Sequence, residues 1–132
     1  MAKLKDKKKN PNSTYWRNKA DAEVTKYYKG QPCIICGTTH NTCGHHVVER
    51  SLSSYFRHNP RNIVALCQTH HTMGNEIAPH SKNPLAVKAF VEIIQESHGY
   101  AYELLETYKQ YRNEKVDYKQ AYEEWKELNN VY

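Results

Sequence analysis

Two residue pairs in the first half of the chain have the spacing of metal ligands. Cys33 and Cys36 stand two residues apart in CIIC, and Cys67 and His70 stand two apart in CQTH, with 30 residues between the pairs. A pair of this kind presents two donor atoms from one tight turn, and two pairs together supply the four ligands of a tetrahedral Zn²⁺. One such pair alone would carry little weight. Cys43 is a spare thiol that could replace His70 or stay unbound, and the unbound state is the expectation. His40, four residues after Cys36, is a further ligand candidate on weaker grounds.

Two pairs of adjacent histidines pose a second question: His45–His46 in GHHVVERS, and His70–His71 in CQTHH. If His70 closes the zinc site, His71 must face elsewhere, because neighbours on a helix point about 100° apart. Neighbours on a strand point to opposite faces. One imidazole of the His45–His46 pair could therefore hold a cation while the other addresses a reacting water.

The stretch from 33 to about 75 resembles the HNH nuclease family, the ββα-metal or His-Me finger group. That family reads roughly as CxxC, then [DH]-H-[IV]-[IV]-x-[RQ]-S, then N-[LI]-V-x-L-C-x2-[CH]-[HN]. This chain supplies CIIC, HHVVERS at 45–51 and NIVALCQTHH at 62–71. It departs in having Glu49 where proline is common, and His70 where the fourth zinc ligand is often cysteine. The resemblance implies His46 as general base and Asn62 as the residue that holds the finger loop and so orients the base. It implies His45 and His71 as ligands of one catalytic cation, and Cys33, Cys36, Cys67 and His70 as a structural zinc site. Asn75, four residues past His71, is a candidate near the cation or a simple helix cap.

Phosphodiester hydrolysis needs a nucleophile, charge neutralisation and help for the leaving group. A neutral histidine near pH 7 can take a proton from water. A divalent ion at His45 and His71 would neutralise the phosphate and the departing 3′ oxygen. Mg²⁺ is the default; an all-histidine site is softer and also suits Mn²⁺, Ni²⁺ or Co²⁺. Arg50, Arg57 and Arg61 are candidates to clamp DNA phosphates.

These groups need elements to hold them. Residues 15–28 carry Trp16, Ala20, Val24 and Tyr27 at helical spacing, ended by Gly30 and Pro32. CIICG (33–37) is expected as a short strand running into a glycine turn, VVERS (47–51) as a strand, and NIVALC (62–67) as a turn or short strand. SLSSYFRHNPR reads as a loop and HHTMGNE as a short helix. After Pro84 come three apolar helical stripes: Leu85, Ala89, Phe90, Ile93 and Ile94, ended by Gly99; Leu104, Leu105, Tyr108 and Tyr111; and Tyr118, Tyr122, Trp125 and Leu128, with Asp117 and Gln120 resembling a capping box. The fold class expected is α+β: a zinc-stapled β-hairpin plus helix, flanked by an N-terminal helix and a C-terminal helical extension. The expected divisions are a basic arm at 1–13, a nuclease domain at 14–80 and a helical extension at 84–130.

At 132 residues with 39% hydrophobic content, the core is small, and a structural metal would help to hold it. Net charge is +5, concentrated at the front: residues 1–29 carry nine Lys/Arg against three Asp/Glu. A basic arm suggests a polyanionic partner, most simply DNA. There is no run of about 18 apolar residues and no secretory h-region, so no membrane association is expected, and a reducing cytoplasm, of a host cell if the source is a bacteriophage, is the expected location. Two other readings stand beside a DNA-nicking or DNA-cutting enzyme. One is a structure-selective phage recombination nuclease acting on Holliday junctions, dimerised through its C-terminal helices. The other is a non-catalytic zinc module that only binds nucleic acid.

Overall fold

Residues 10–73 and 76–131 are described by a computed structural model. The basic arm lies mostly outside the described residues, as does Asn75. The first element, α1, spans Thr14–Tyr28 and buries Trp16, Ala20, Val24 and Tyr28, one residue per helical turn. Tyr28 takes the inward position expected of Tyr27, which is half-buried. The helix end is joined to the sheet by one side chain. Thr42 Oγ1 donates to the Tyr28 carbonyl at 3.2 Å and accepts from the Gly30 amide at 2.9 Å. Gly30 adopts φ +85°, which suits glycine at this turn.

The sheet is a single antiparallel pair, β1 (Thr42–His46) and β2 (Ile63–Cys67), with Thr42 opposite Cys67 and His46 opposite Ile63. β2 is buried along its whole length because both of its faces are covered. Val64 and Leu66 join Cys33, Phe90, Ile94 and Ala101 on one side, while Ile63 and Ala65 join Val24, Tyr28 and Trp125 on the other. A strand covered on both faces reads as a continuous apolar run, as IVALC does. Gly44 on β1 is where the sheet meets α1. A Cβ there would lie 2.9 Å from Ile63 Cγ2 and 3.0 Å from the Tyr28 ring, so a side chain would push α1 away.

Two expected strands are not strands. CIICG forms a turn closed by Gly37 N donating to the Cys33 carbonyl at 2.8 Å, with Gly37 at φ +77°. Only a turn brings both thiols to one side, and Ile34 N, bonded to the Ala65 carbonyl at 3.0 Å, docks that turn on β2. In VVERS, β1 ends at His46 because its partner begins at Ile63. Val47 keeps one bond, to the Asn62 carbonyl, and the Asn62 side chain takes both backbone groups of Val48. A side chain thus replaces the missing strand.

Of HHTMGNE, His70–Met73 lie in one π-helical turn, Thr69–Met73. Beyond it, α2 (Pro84–Ser97) opens with Pro84 at its first position and the Asn83 side chain accepting from Leu85 N at 3.1 Å. It buries Phe90 and Ile94 as expected, but Ala86 takes the first inward position and Leu85 is 73% exposed. α3 (Gly99–Thr107) follows a break at His98, so Gly99 starts a helix instead of ending one, and a short 3₁₀ turn, Tyr108–Tyr111, completes it. In α4 (Tyr118–Val131) Asp117 Oδ1 accepts from Gln120 N at 2.9 Å, whereas the Gln120 side chain turns to Glu124, leaving half of a capping box. Tyr118 and Trp125 are buried inside the chain, so the apolar face of α4 is occupied by its own protein. Among the described residues no helix is long and apolar enough to cross a membrane.

Candidate functional site

The knuckle turn, the end of β2 and the π turn bring Cys33, Cys36, Cys67 and His70 together, with every donor atom within 4.8 Å of the others. Cys36 Sγ lies 3.7 Å from Cys67 Sγ, and His70 Nδ1 lies 3.2 Å from Cys67 Sγ and 3.9 Å from Cys33 Sγ. With Zn–S about 2.3 Å and Zn–N about 2.0 Å, the edges of a tetrahedral zinc site run from roughly 3.5 to 3.8 Å. The four residues therefore sit close enough to hold a metal such as zinc. Burial pushes the Cys33 thiol up, but the amides of Cys36, Cys67 and Ile35 outweigh it and bring it down to about 6. Burial leaves Cys67 raised. Cys33 thus ionises before Cys67, which favours a ligand thiolate at neutral pH.

Here the two adjacent histidines part. His70 joins the thiols, and His71 turns to a second group, His45, His71 and His80, whose donor atoms also lie within 4.8 Å of one another. The imidazole centroids are 5.1 Å apart for His45–His71, 5.0 Å for His45–His80 and 4.7 Å for His71–His80. His45 is 6% exposed and packs edge-on to Phe90. Burial, with its imidazole neighbours, holds it down at about 3, and His71 is lowered by the same causes. Neutral imidazoles are the form that binds metals. His80 was not among the ligands expected from sequence. It lies nine residues past His71 in a proline-flanked loop, and its amide donates to the His71 carbonyl at 3.1 Å, which folds the loop back onto the π turn. Cys43 lies beside this group, its Sγ 3.6 Å from His71 Nδ1, and away from the four-ligand cluster. Exposed His40 bonds to its neighbour Asn41.

His46 points to the other side of β1. Its Nε2–H donates to the Arg57 carbonyl at 2.8 Å, which fixes the tautomer and leaves Nδ1 with a free lone pair. Burial lowers it to about 4. Asn62 is fully buried: its Oδ1 accepts from Val48 N at 2.7 Å, and its Nδ2 donates to the carbonyls of Val48 and Phe56 at 3.0 and 3.1 Å. It ties both ends of the loop that carries Arg57, one residue beyond Phe56, and does not itself face the groove.

One open groove of about 1130 Å³ is lined by His45, His46, His71 and His80 together with Arg17, Lys29, Arg50 and Glu49. The three arginines named from sequence part company. Arg50 is exposed and lines the groove. Arg57 lines it too, but its guanidinium grips Asp21, with Nε and Nη2 donating at 2.9 and 2.6 Å. Arg61 lies over the exposed Tyr100 ring at 4.7 Å. Asp21 and His80 escaped the sequence reading because their partners lie across the fold; α1 contributes Arg17, Asp21, Val24 and Thr25 to the groove wall, and Lys29 follows at its C-terminal end. Comparison with protein-family models, curated proteins and solved structures finds no match.

Proposed function

We propose that this chain is a divalent-metal-dependent HNH endonuclease that hydrolyses DNA phosphodiester bonds, with His46 as general base. The observation that carries the reading is the pairing, across one groove, of a tautomer-fixed imidazole with a three-imidazole cluster. His46 Nδ1 would accept the proton of the attacking water, while the Arg57 carbonyl holds the ring in the competent tautomer. Asn62 acts by holding the loop. Arg17, Lys29 and Arg50 give the groove a cationic wall suited to a phosphate backbone, and the Lys-rich arm would add sequence-independent affinity. A divalent ion at His45, His71 and His80 would supply charge neutralisation at the scissile phosphate and the leaving 3′ oxygen.

The donor set bears on which ion. Mg²⁺ prefers oxygen ligands, whereas three imidazole nitrogens suit Mn²⁺, Co²⁺, Ni²⁺ or Zn²⁺. The test is conversion of supercoiled plasmid to nicked or linear DNA, with each ion in turn. Wild type is expected to cut best with a transition ion, His46→Ala to bind plasmid without cutting it, and His80→Ala to need at least about tenfold more ion. Plasmid binding without cleavage under any ion, on junction substrates as well, would leave a non-catalytic zinc module.

A further inference from the structure

The groove wall contains a carboxylate whose bonds run away from the three-imidazole cluster. Asp21, on α1, accepts Arg57 Nε–H at Oδ1 and Nη2–H at Oδ2, 2.9 and 2.6 Å, in a two-pronged clasp. His58 Nε2–H donates to the same Oδ1 at 2.7 Å. Its three bonds go to two successive residues of the finger loop, and the first of these supplies the carbonyl that holds His46. A forked guanidinium–carboxylate pair fixes orientation as well as distance. The pair is mostly withdrawn from water, with side-chain exposures of 15% for Arg57 and 23% for Asp21.

The geometry points to Asp21 as a positioning residue for His46: from a helix outside the stretch that carries the family motif, it clamps Arg57 so that the Arg57 carbonyl fixes the His46 tautomer. This rests on the reading of His46 as the base, yet it also makes a claim about the unliganded protein. Asn62 fixes the loop one peptide earlier, at the Phe56 carbonyl, and Arg57 N donates to the Ser54 carbonyl at 3.3 Å; both bonds precede the peptide whose carbonyl holds His46. Asp21 holds the side chains that flank that peptide, Arg57 and His58. Arg57 is accordingly committed to the clamp and is not a phosphate ligand.

The experiment reads the tautomer directly and needs no cleavage. ¹⁵N-histidine-labelled full-length protein, loaded with one equivalent of Zn²⁺, gives the ring nitrogen shifts of His46, assigned by comparison with His46→Ala. Wild type is expected to show a protonated Nε2 and an unprotonated Nδ1. Asp21→Asn, which keeps shape and loses charge, is expected to show averaging of the two tautomers with an unchanged fold. In cleavage, kcat is expected to fall about 10- to 100-fold with KM unchanged. Asp21→Glu should recover part of the loss, and Asp21→Asn combined with Arg57→Lys should be no worse than Asp21→Asn alone. If Asp21→Asn does not fold, Arg57→Lys alone breaks the fork and serves for the same reading. A wild-type tautomer in the clamp variant overturns the proposal, whatever the rate does. Failure of wild type to cut any DNA would remove the nuclease reading while the tautomer still decides the clamp.

Discussion

His45 and His46 carry a pH dependence set by burial. Their folded values, about 3 and about 4, lie below the ordinary 6.5. Between those limits the unfolded chain binds more protons than the folded one, so stability falls as pH falls. The contribution of both residues is fully present above pH 6.5 and is lost progressively as pH drops toward 4 and then 3. Asp21 adds to the same slope further down. Burial opposes its ionisation, but bonds from His58 and Arg57 outweigh this and hold it well below the ordinary carboxylate value, so its stabilisation fades only below about pH 4. Urea midpoints of protein carrying metal only at the four-ligand cluster should therefore decline from pH 7 to pH 5, and His46→Gln should flatten that decline. A wild-type midpoint constant over this range would mean that the two imidazoles are not buried as neutral groups. If His46 is the base of a DNA-cleaving reaction, the same burial keeps it unprotonated, so cleavage at saturating ion should persist as pH falls through 6.5 and decline nearer 4.

At the scale of elements, the four-ligand cluster is also part of the core. Cys33 and Cys67 are 3% and 6% exposed and pack in the cluster that contains Leu66, Phe90 and Ile94. If zinc fills the cluster, stripping it would leave buried thiols in place of bonds, so chelation or Cys33→Ser should unfold the α2 side of β2. Zinc analysis and circular dichroism together check this: loss of about one zinc per chain should coincide with loss of helix, while His46→Ala should keep both. A folded, zinc-free protein would contradict it. The same elements mark what the sequence could and could not disclose. IVALC, readable from its sequence as a turn or a short strand, is a strand because its five apolar residues are covered on both faces, and the ligand spacings announced the four-residue cluster. VVERS has the composition of a strand, yet β1 stops before it because β2 has no residue left to pair. Phe90 and Ile94 were legible as inward positions of α2, whereas the exchange of Leu85 for Ala86 in its first turn depends on how the helix meets the sheet. His80 and Asp21 carry no local pattern at all; each acquires its place through a fold-back or a contact 36 residues away.

Seen whole, the molecule places the loop that carries Arg57 and His58 between its first and last helices. α1 reaches the loop through Asp21, and α4 reaches it through Trp125, whose Nε1–H donates to the His58 carbonyl at 2.8 Å. The two helices are themselves joined, with Asn129 Nδ2 donating to the Glu23 carbonyl at 2.8 Å and Trp125 lying edge-on to Tyr27 at 5.3 Å. The C-terminal helix thus buttresses the peptide next to the one that orients His46. Trp125 is 2% exposed, so Trp125→Phe removes a buried donor and leaves the His58 carbonyl without it. That loss should cost about 1–3 kcal/mol, with a further amount for the volume lost. A urea titration measures the cost. If α4 also positions the loop, the variant should lower cleavage under conditions where it remains fully folded. A stability loss with wild-type cleavage would make α4 a packing element alone. An unchanged midpoint would mean that water replaces the indole at the His58 carbonyl, and that the loop depends on Asp21 and Asn62 without help from α4.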